Sequence, residues 1–151
     1  MKIRITKSKL KNSEEISKLI IKVFKEFDVK DSNKESIKFF SDLYRPENIM
    51  KNWRKDYVIV AKLEDKIIAV GRAKKDGWIT HCYVNRDYMN KGIGRLLMLK
   101  LEKWIKNKKK SEIFLNSSPF ALRFYKKLGY KRLGKKRLYH GLQLYPMIKE
   151  T

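Results

Sequence analysis

A Gly-Ile-Gly stretch, residues 92–94, stands where a predicted strand ends and a predicted helix begins. The first N–H groups of a helix have no partner within it and carry about half a positive charge, so this end can hold a phosphate. Glycines let the backbone approach such a group closely. No Gly-Lys-Ser/Thr follows, which excludes the Walker loop. A phosphate-binding turn and a tight turn that only packs both remain open at this point.

Charge is the feature of the composition that departs most from that of an average globular protein. The 151 residues include 38 Lys and Arg against 16 Asp and Glu, a formal net charge of +22. A field of this sign attracts polyanions, which include nucleic acids, acidic lipids and phosphorylated small molecules. The hydrophobic share of 42% is near that of ordinary globular proteins, which argues against disorder.

Cysteine content and apolar runs limit the class of protein further. The one cysteine, Cys82, excludes an intramolecular disulfide and argues against a secreted disulfide scaffold. The first residues lack the apolar region of a signal peptide. The longest apolar runs, such as residues 67–70, are far shorter than the roughly 18 residues that span a bilayer. We expect a cytoplasmic protein without a membrane partner, with one domain over residues 1–151.

The patterns in the first half of the chain predict a short opening strand, followed by two helices and then three strands. Asn12 and Glu15 have the spacing of a capping box ahead of an amphipathic helix. Pro46 is expected to end the second helix. The predicted elements are a strand at residues 3–6, helices over residues 13–27 and 32–44, and strands over residues 57–63, 66–74 and 78–84.

The second half predicts a helix after the glycines, a strand, a second helix and a closing strand. These elements cover residues 93–107, 113–115, 118–128 and 130–140. Ser118 and Pro119 are suited to the start of the second of these helices and Gly129 to its end, while Phe120, Ala121, Phe124 and Leu128 are expected to be buried. The order β-α-α-β-β-β-α-β-α-β predicts an α/β fold whose sheet is mostly antiparallel at its start.

Two stretches, residues 84–95 and 116–130, together resemble the GNAT superfamily of acyl-CoA-dependent N-acetyltransferases. The first is similar to the pyrophosphate-binding motif of that superfamily. The second is similar to its segment ending Phe-Tyr-x-Lys-Leu-Gly-Phe/Tyr. Residues 116–121, Asn-Ser-Ser-Pro-Phe-Ala, and residues 46–49, Pro-Glu-Asn-Ile, resemble the YafP-like branch. The resemblance implies a GNAT-like mixed, mostly antiparallel central sheet flanked by helices.

The resemblance also implies acetyl-CoA as co-substrate, no metal, and an amine as acceptor. Tyr125 matches the tyrosine that faces the departing thiolate, and Asn116 would contact the pantetheine arm. Met89 stands where the motif usually has Arg or Gln, so one side-chain contact is expected to be lost. The remaining cofactor contacts that the resemblance implies come from the backbone of the strand around Cys82 and Val84 and from the amides of Asn90, Lys91, Gly92, Ile93, Gly94 and Arg95.

A general base is the part of the chemistry that these residues do not supply. Counting back from Val84 along the strand, the positions where relatives place a base hold Trp78 and Thr80. His81 is one residue out of phase, and because strand side chains alternate it should point to the other face. We therefore expect no strong dedicated base, and the two histidines and one cysteine are not spaced as a metal site.

Two other functions stay open. The net charge of +22 and the aromatic residues within the basic segment 125–136 are also typical of a protein that binds nucleic acid or associates with the ribosome. Met89 and the missing base leave room for an acyl-CoA binder without catalytic activity. Nothing in the sequence names the acceptor amine or distinguishes a monomer from a homodimer.

Overall fold

The computed structural model describes residues 2–30 and 33–151, which form eight strands and five α-helices besides shorter helical turns. The strands are β1 (Ile3–Lys7), β2 (Tyr57–Leu63), β3 (Lys66–Ala73), β4 (Ile79–Val84), β5 (Glu112–Ser117), β6 (Lys131–Arg132), β7 (Arg137–Tyr139) and β8 (Leu142–Glu150). The helices are α1 (Ser13–Val23), α2 (Lys34–Leu43), α3 (Pro46–Asn52), α4 (Ile93–Asn107) and α5 (Leu122–Lys127).

The strands form two antiparallel sheets that touch at one point. The first sheet has the order β1-β2-β3-β4, and the second has the order β5-β8-β6, with β7 also pairing with β8. A parallel bridge between Trp78 and Phe114 connects them, and the Phe114 N–H donates to the Gly77 carbonyl at 3.0 Å. Beyond this bridge β4 and β5 are not paired within the described part of the chain. The divergence of β4 from β5 leaves one edge of β4 open.

Two hydrophobic clusters cover opposite faces of the first sheet. Leu97, Leu101 and Ile105 of α4 pack in the cluster that also contains Tyr125 of α5. The second cluster is formed by residues of α1, α2 and α3, among them Ile16, Ile20, Phe40 and Ile49. Because side chains alternate along a strand, β3 and β4 supply residues to both clusters. The mixed, mostly antiparallel α/β fold that the sequence predicts is confirmed.

The capping box predicted at the start of the first helix is wrong, and a third helix was not predicted. Asn12 makes no side-chain capping hydrogen bond to the described residues, and the carboxylate of Glu15 accepts from the N–H of Ile67 in β3 at 2.8 Å instead of from the helix start. Pro46 does not merely end the second helix; it occupies the first turn of α3, where its missing N–H costs nothing. The described part of the second helix begins at Lys34, and Ser32, where its start is predicted, lies outside the described residues.

The C-terminal region also differs from its prediction. The single closing strand expected over residues 130–140 is instead the short strands β6 and β7, and the long strand β8 follows them. β8 pairs with β5 on one side and β6 on the other, which makes it the centre of the second sheet. Phe120 is 55% exposed, not buried, because α5 begins only at Leu122 and Phe120 lies on the preceding turn.

Candidate active site

A cleft of about 1310 Å³ lies where β4 and β5 diverge. β4 forms its floor, and the start of α4 together with α5 forms one wall. The other wall comes from the end of α1, from α2 and from the strands β7 and β8. Clefts of this size and concavity are the usual place for small-molecule sites. The divergence of the two sheets thus creates the candidate site.

The open edge of β4 presents backbone hydrogen-bonding groups to the cleft. The N–H of Asn85 donates to the Ile68 carbonyl of β3 at 2.8 Å. Because hydrogen-bonded and non-hydrogen-bonded pairs alternate in an antiparallel ladder, the backbone N–H and C=O groups of Tyr83 also form their hydrogen bonds with β3. The N–H and C=O groups of Cys82 and Val84 therefore point away from β3, toward the open edge. An extended, peptide-like ligand can add to this edge as a strand.

The first turn of α4 is arranged to accept an anion. Gly92 caps the helix with φ of +83°, and Asn90 is also left-handed with φ of +60°. The first intrahelical hydrogen bond of this turn runs from the Leu96 N–H to the Gly92 carbonyl. The N–H groups of Ile93, Gly94 and Arg95 consequently have no partner within the helix. They point out of its N-terminus, which carries the positive end of the helix dipole.

Gly94 also has a packing role that the sequence analysis did not anticipate. A Cβ at Gly94 would lie 3.1 Å from the ring of Phe124 and 3.6 Å from Val84. The missing side chain therefore lets α5 and β4 approach the first turn of α4. Gly92, by contrast, has open space around it and is required by its backbone conformation.

Most of the predicted cofactor-binding residues line the cleft, and two side chains do not. The residues on the cleft are Cys82, Val84, Met89, Asn90, Gly92, Gly94, Arg95 and Asn116. Lys91 is exposed and its side chain is not part of the cleft wall. Ile93 is buried in the hydrophobic cluster beside α4, so only its backbone N–H is available to a ligand. The predicted roles of Lys91 and Ile93 are thereby limited to their backbone.

Tyr125 lies on the cleft wall opposite α1 and α2. It is 8% exposed, and its hydroxyl makes no hydrogen bond to residues 2–30 or 33–151. Burial raises the pKa of Tyr125 well above its usual value, with smaller contributions from Cys82 and Asp28. The phenol therefore keeps its proton at physiological pH and is free to donate it to a group in the cleft.

Cys82 is not a nucleophile in this environment. Its thiol donates to the Gly94 carbonyl at 3.7 Å, which joins β4 to the first turn of α4. Burial raises the pKa of the Cys82 thiol to about 12, so the reactive thiolate does not form at neutral pH.

Asp28 is the functional candidate that the sequence analysis missed. It ends a π-helical turn, Phe24–Asp28, that continues α1 into the cleft. The hydroxyl of Tyr83 donates to its carboxylate at 3.1 Å. Burial raises the pKa of Asp28 to about 6, although hydrogen bonds from Tyr83 and Ser118 oppose that shift. A carboxylate with this pKa can accept a proton near neutral pH. The signal in the sequence is that Asp28 continues the four-residue spacing of the buried positions Ile20 and Phe24.

His81 lies on the face of β4 that carries Tyr83, away from the side chains of Cys82 and Val84. Its ring packs among Tyr44, Trp53 and Tyr83, with ring centroids 4.9 to 5.7 Å away. Burial, with a further contribution from Arg72, lowers the pKa of His81 to about 3. The imidazole is therefore neutral at physiological pH, which makes it a poor proton acceptor.

Neither a metal-binding cluster nor a helix able to span a membrane is found in the described part of the chain. No group of three or more His, Cys, Asp or Glu side chains in residues 2–30 and 33–151 could hold a metal ion. None of the helices described there is both long and apolar enough to cross a bilayer.

Comparison with known proteins identifies the family. Residues 28–151 match the model of the acetyltransferase (GNAT) domain family. No curated protein matches the sequence. The chain is similar to a GCN5-related N-acetyltransferase from Rhodopseudomonas palustris, with a TM-score of 0.88 and 16% identity over 100% of this chain and 97% of that one. It is similar to the PaiA N-acetyltransferase from Thermoplasma acidophilum in complex with coenzyme A, with a TM-score of 0.84 and 18% identity over 100% of both chains. It is also similar to YncA from Salmonella typhimurium with its cofactor acetyl-CoA, with a TM-score of 0.70 and 14% identity over 99% of this chain and 94% of that one.

Proposed function

The chain belongs to the GNAT acetyltransferase family, and we propose that it transfers the acetyl group of acetyl-CoA to a primary amine by direct attack on the thioester. The observation that carries this proposal is one cleft in which the open edge of β4, the free N-terminus of α4 and the carboxyl of Asp28 meet. The proposal includes membership of the YafP-like branch, which the amino-acid sequences of residues 46–49 and 116–121 support.

The cofactor would bind along β4 and α4. The amides of residues 90–95 would hold the pyrophosphate, because the helix N-terminus and the exposed Arg95 both favour negative charge. The pantetheine arm would pair with the backbone of Cys82 and Val84, with Asn116 of β5 on its other side. The relatives solved with coenzyme A and with acetyl-CoA support this assignment, since they share the fold.

Asp28 would receive the proton of the attacking amine. As the amine nitrogen forms a bond to the thioester carbon, its N–H becomes acidic and the carboxylate of Asp28 accepts the proton. With a pKa of about 6, Asp28 is ionised at pH 7 to 8 and can first attract the amine as an ammonium ion, which loses one proton to solvent before the attack and the second proton to Asp28 after it. The developing oxyanion would be held by a backbone N–H at the open edge of β4, such as that of Val84.

Tyr125 would assist the leaving group as the C–S bond breaks and the electron pair stays on sulfur. A thiol has a pKa near 8.5, below that of the buried phenol. Tyr125 therefore stabilises the departing thiolate mainly by donating a hydrogen bond, and complete proton transfer is uphill. Its expected contribution lies at or below the lower end of the usual general-acid range of about 10²–10⁴-fold.

Calorimetric titration with acetyl-CoA, followed by a thiol-release assay with a panel of primary amines, tests the proposal. We expect saturable binding of acetyl-CoA and amine-dependent release of free CoA. Binding without thiol release for any amine would indicate a catalytically silent acyl-CoA binder. Failure to bind acetyl-CoA, combined with sequence-selective RNA or DNA binding that persists at physiological salt, would favour the nucleic-acid function instead.

A further inference from the structure

We infer that the acceptor is a small amine with one positive charge on an apolar or aromatic body, as opposed to a polyamine or another multiply charged amine. This inference rests on the proposed function and specifies its substrate class. It follows from the part of the cleft around Asp28, called here the acceptor chamber and formed by Phe24, Phe27, Asp28, Phe40, Tyr44 and Tyr83.

The walls of the acceptor chamber are aromatic. The rings of Phe24 and Phe40 have centroids 5.0 Å apart, and those of Phe40 and Tyr44 are 6.1 Å apart. At the mouth, Phe27 stacks on Phe120 at 4.4 Å and so connects the end of α1 to the turn before α5. Such walls bury an apolar body favourably, and their ring faces also attract a cation.

Asp28 is the one acidic side chain on the cleft among residues 2–30 and 33–151. The neutral His81 adds no charge to this part of the cleft. Of the basic side chains on the cleft, Arg95 is assigned to the pyrophosphate and Lys149 pairs with Glu102 at 3.2 Å, which leaves Arg123, Lys127 and Arg137. An ammonium group can pair with Asp28, whereas a second ammonium on the same molecule would meet no carboxylate and would be repelled by these cations. The charge of the cleft therefore selects for a single cation.

The position of Asp28 also places that cation near the reacting atoms. Its charge contributes to the raised pKa values of both Tyr83 and Tyr125, so the carboxylate lies within electrostatic reach of both phenols. Tyr83 stands between Cys82 and Val84 on the strand whose open edge would carry the pantetheine arm. An amine held by Asp28 consequently sits at the junction of the acceptor chamber and the proposed cofactor path.

The test compares two amines that differ by one charge. Pentylamine and 1,5-diaminopentane have the same carbon chain, and 2-phenylethylamine adds an aromatic body. We expect kcat/KM for thiol release to be at least about tenfold higher with pentylamine than with 1,5-diaminopentane, and higher again with 2-phenylethylamine. Calorimetric binding of each amine to the CoA-saturated protein is measured alongside. Equal or better use of the diamine, or no binding and no turnover of any monoamine, overturns the inference. Acetyl-CoA binding tests the proposed function separately.

A variant that adds a second carboxylate tests the charge argument directly. Leu43 is 37% exposed on the cleft at the end of α2, so Leu43→Glu should fold. It should reduce the preference for pentylamine over 1,5-diaminopentane at least threefold. Met50→Glu is the matched control, because Met50 is 45% exposed in the last turns of α3 and does not line the cleft. An unchanged preference in Leu43→Glu would contradict the assignment of specificity to charge.

Discussion

The hydroxyl of Tyr83 donates a hydrogen bond of 3.1 Å to the carboxylate of Asp28 and so joins β4 to the π-helical end of α1. Burial, with the charge of Asp28 as the next cause, raises the pKa of Tyr83 well above its usual value, so the phenol stays protonated as the donor. The contact connects the strand proposed to carry the cofactor with the carboxylate proposed to receive the amine. Because Asp28 contacts the side chain of Tyr83 and not the backbone edge at Cys82 and Val84, a change at Asp28 should affect the acceptor step more than acetyl-CoA binding.

Asp28→Asn should lower kcat/KM for the best amine by about 100-fold or more, because the amide keeps the shape but cannot accept a proton. Acetyl-CoA affinity, measured by calorimetry, should change less than about twofold. Asp65→Asn, at the exposed turn between β2 and β3, removes the same charge away from the cleft and should leave activity unchanged. Normal turnover in Asp28→Asn would remove Asp28 from the mechanism.

The raised pKa of Asp28 also predicts a pH dependence of stability. Its pKa rises from 3.8 to about 6 on folding, so the folded state favours the neutral acid. This contribution is fully present below pH 3.8 and is lost as the pH rises through about 6, which destabilises the fold at pH 7.5 by up to about 3 kcal/mol. Asp28→Asn should therefore raise the Tm at pH 7.5, and its advantage should disappear near pH 4. Equal Tm values at both pH values would contradict the raised pKa.

The same ionisation should control activity. In the native protein kcat/KM should fall about tenfold per pH unit below about pH 6, as Asp28 becomes protonated. The residual activity of Asp28→Asn should lack this acidic limb. A limb that persists in the variant would assign the titration to another group.

Tyr125→Phe should lower kcat by about 10- to 100-fold with acetyl-CoA affinity unchanged, since only the hydrogen bond to the departing sulfur is lost. Single-turnover thiol release isolates the chemical step. Tyr145→Phe removes a hydroxyl from a partly buried tyrosine that stacks with Arg132 outside the cleft, and it should behave as the native protein. If both variants retain full kcat when chemistry limits turnover, Tyr125 only packs.

The anion site at the start of α4 is tested by reversing one charge. Arg95→Glu places a carboxylate at the first turn and should weaken acetyl-CoA binding at least about tenfold, or 1.4 kcal/mol. Lys100→Glu makes the same change on the exposed face of the same helix, away from the cleft, and should have little effect. A substitution at Gly94 would be harder to interpret, because its side chain would also meet Phe124. Equal affinities of the two charge variants would place the pyrophosphate elsewhere.

The lowered pKa of His81 predicts that the free energy of unfolding decreases in acid. Its pKa falls from 6.5 to about 3 on folding, so its contribution to stability is present above pH 6.5 and is lost as the pH falls through about 3. His81→Phe, which fits the aromatic surroundings and cannot titrate, should flatten the decline of unfolding free energy between these pH values. The comparison uses urea unfolding at several pH values.

Local patterns in the sequence were sufficient to predict α4 and the β2–β3 hairpin. The apolar spacing of Leu97, Leu101 and Ile105 specifies a helix with one buried face, and Gly129 adopts the left-handed conformation expected after α5. The glycines at residues 92 and 94 also indicate the start of α4 without any information about the elements that pack against it. These features are set by interactions within a few residues, which one sequence contains.

The acceptor carboxylate and the centre of the second sheet depended on the tertiary structure. Glu15 bonds to β3 and not to its own helix, because the sheet brings the N–H of Ile67 to it. β8 lies between β5 and β6, and its position follows from pairing with strands more than ten residues away. In the sequence, Asp28 is an acidic residue near the end of a predicted helix, and nothing in its neighbours along the chain indicates a raised pKa. Its pKa of about 6 arises because α1, β4 and the turn at Ser118 together remove water from the carboxylate, and such desolvation is a property of the assembled neighbours.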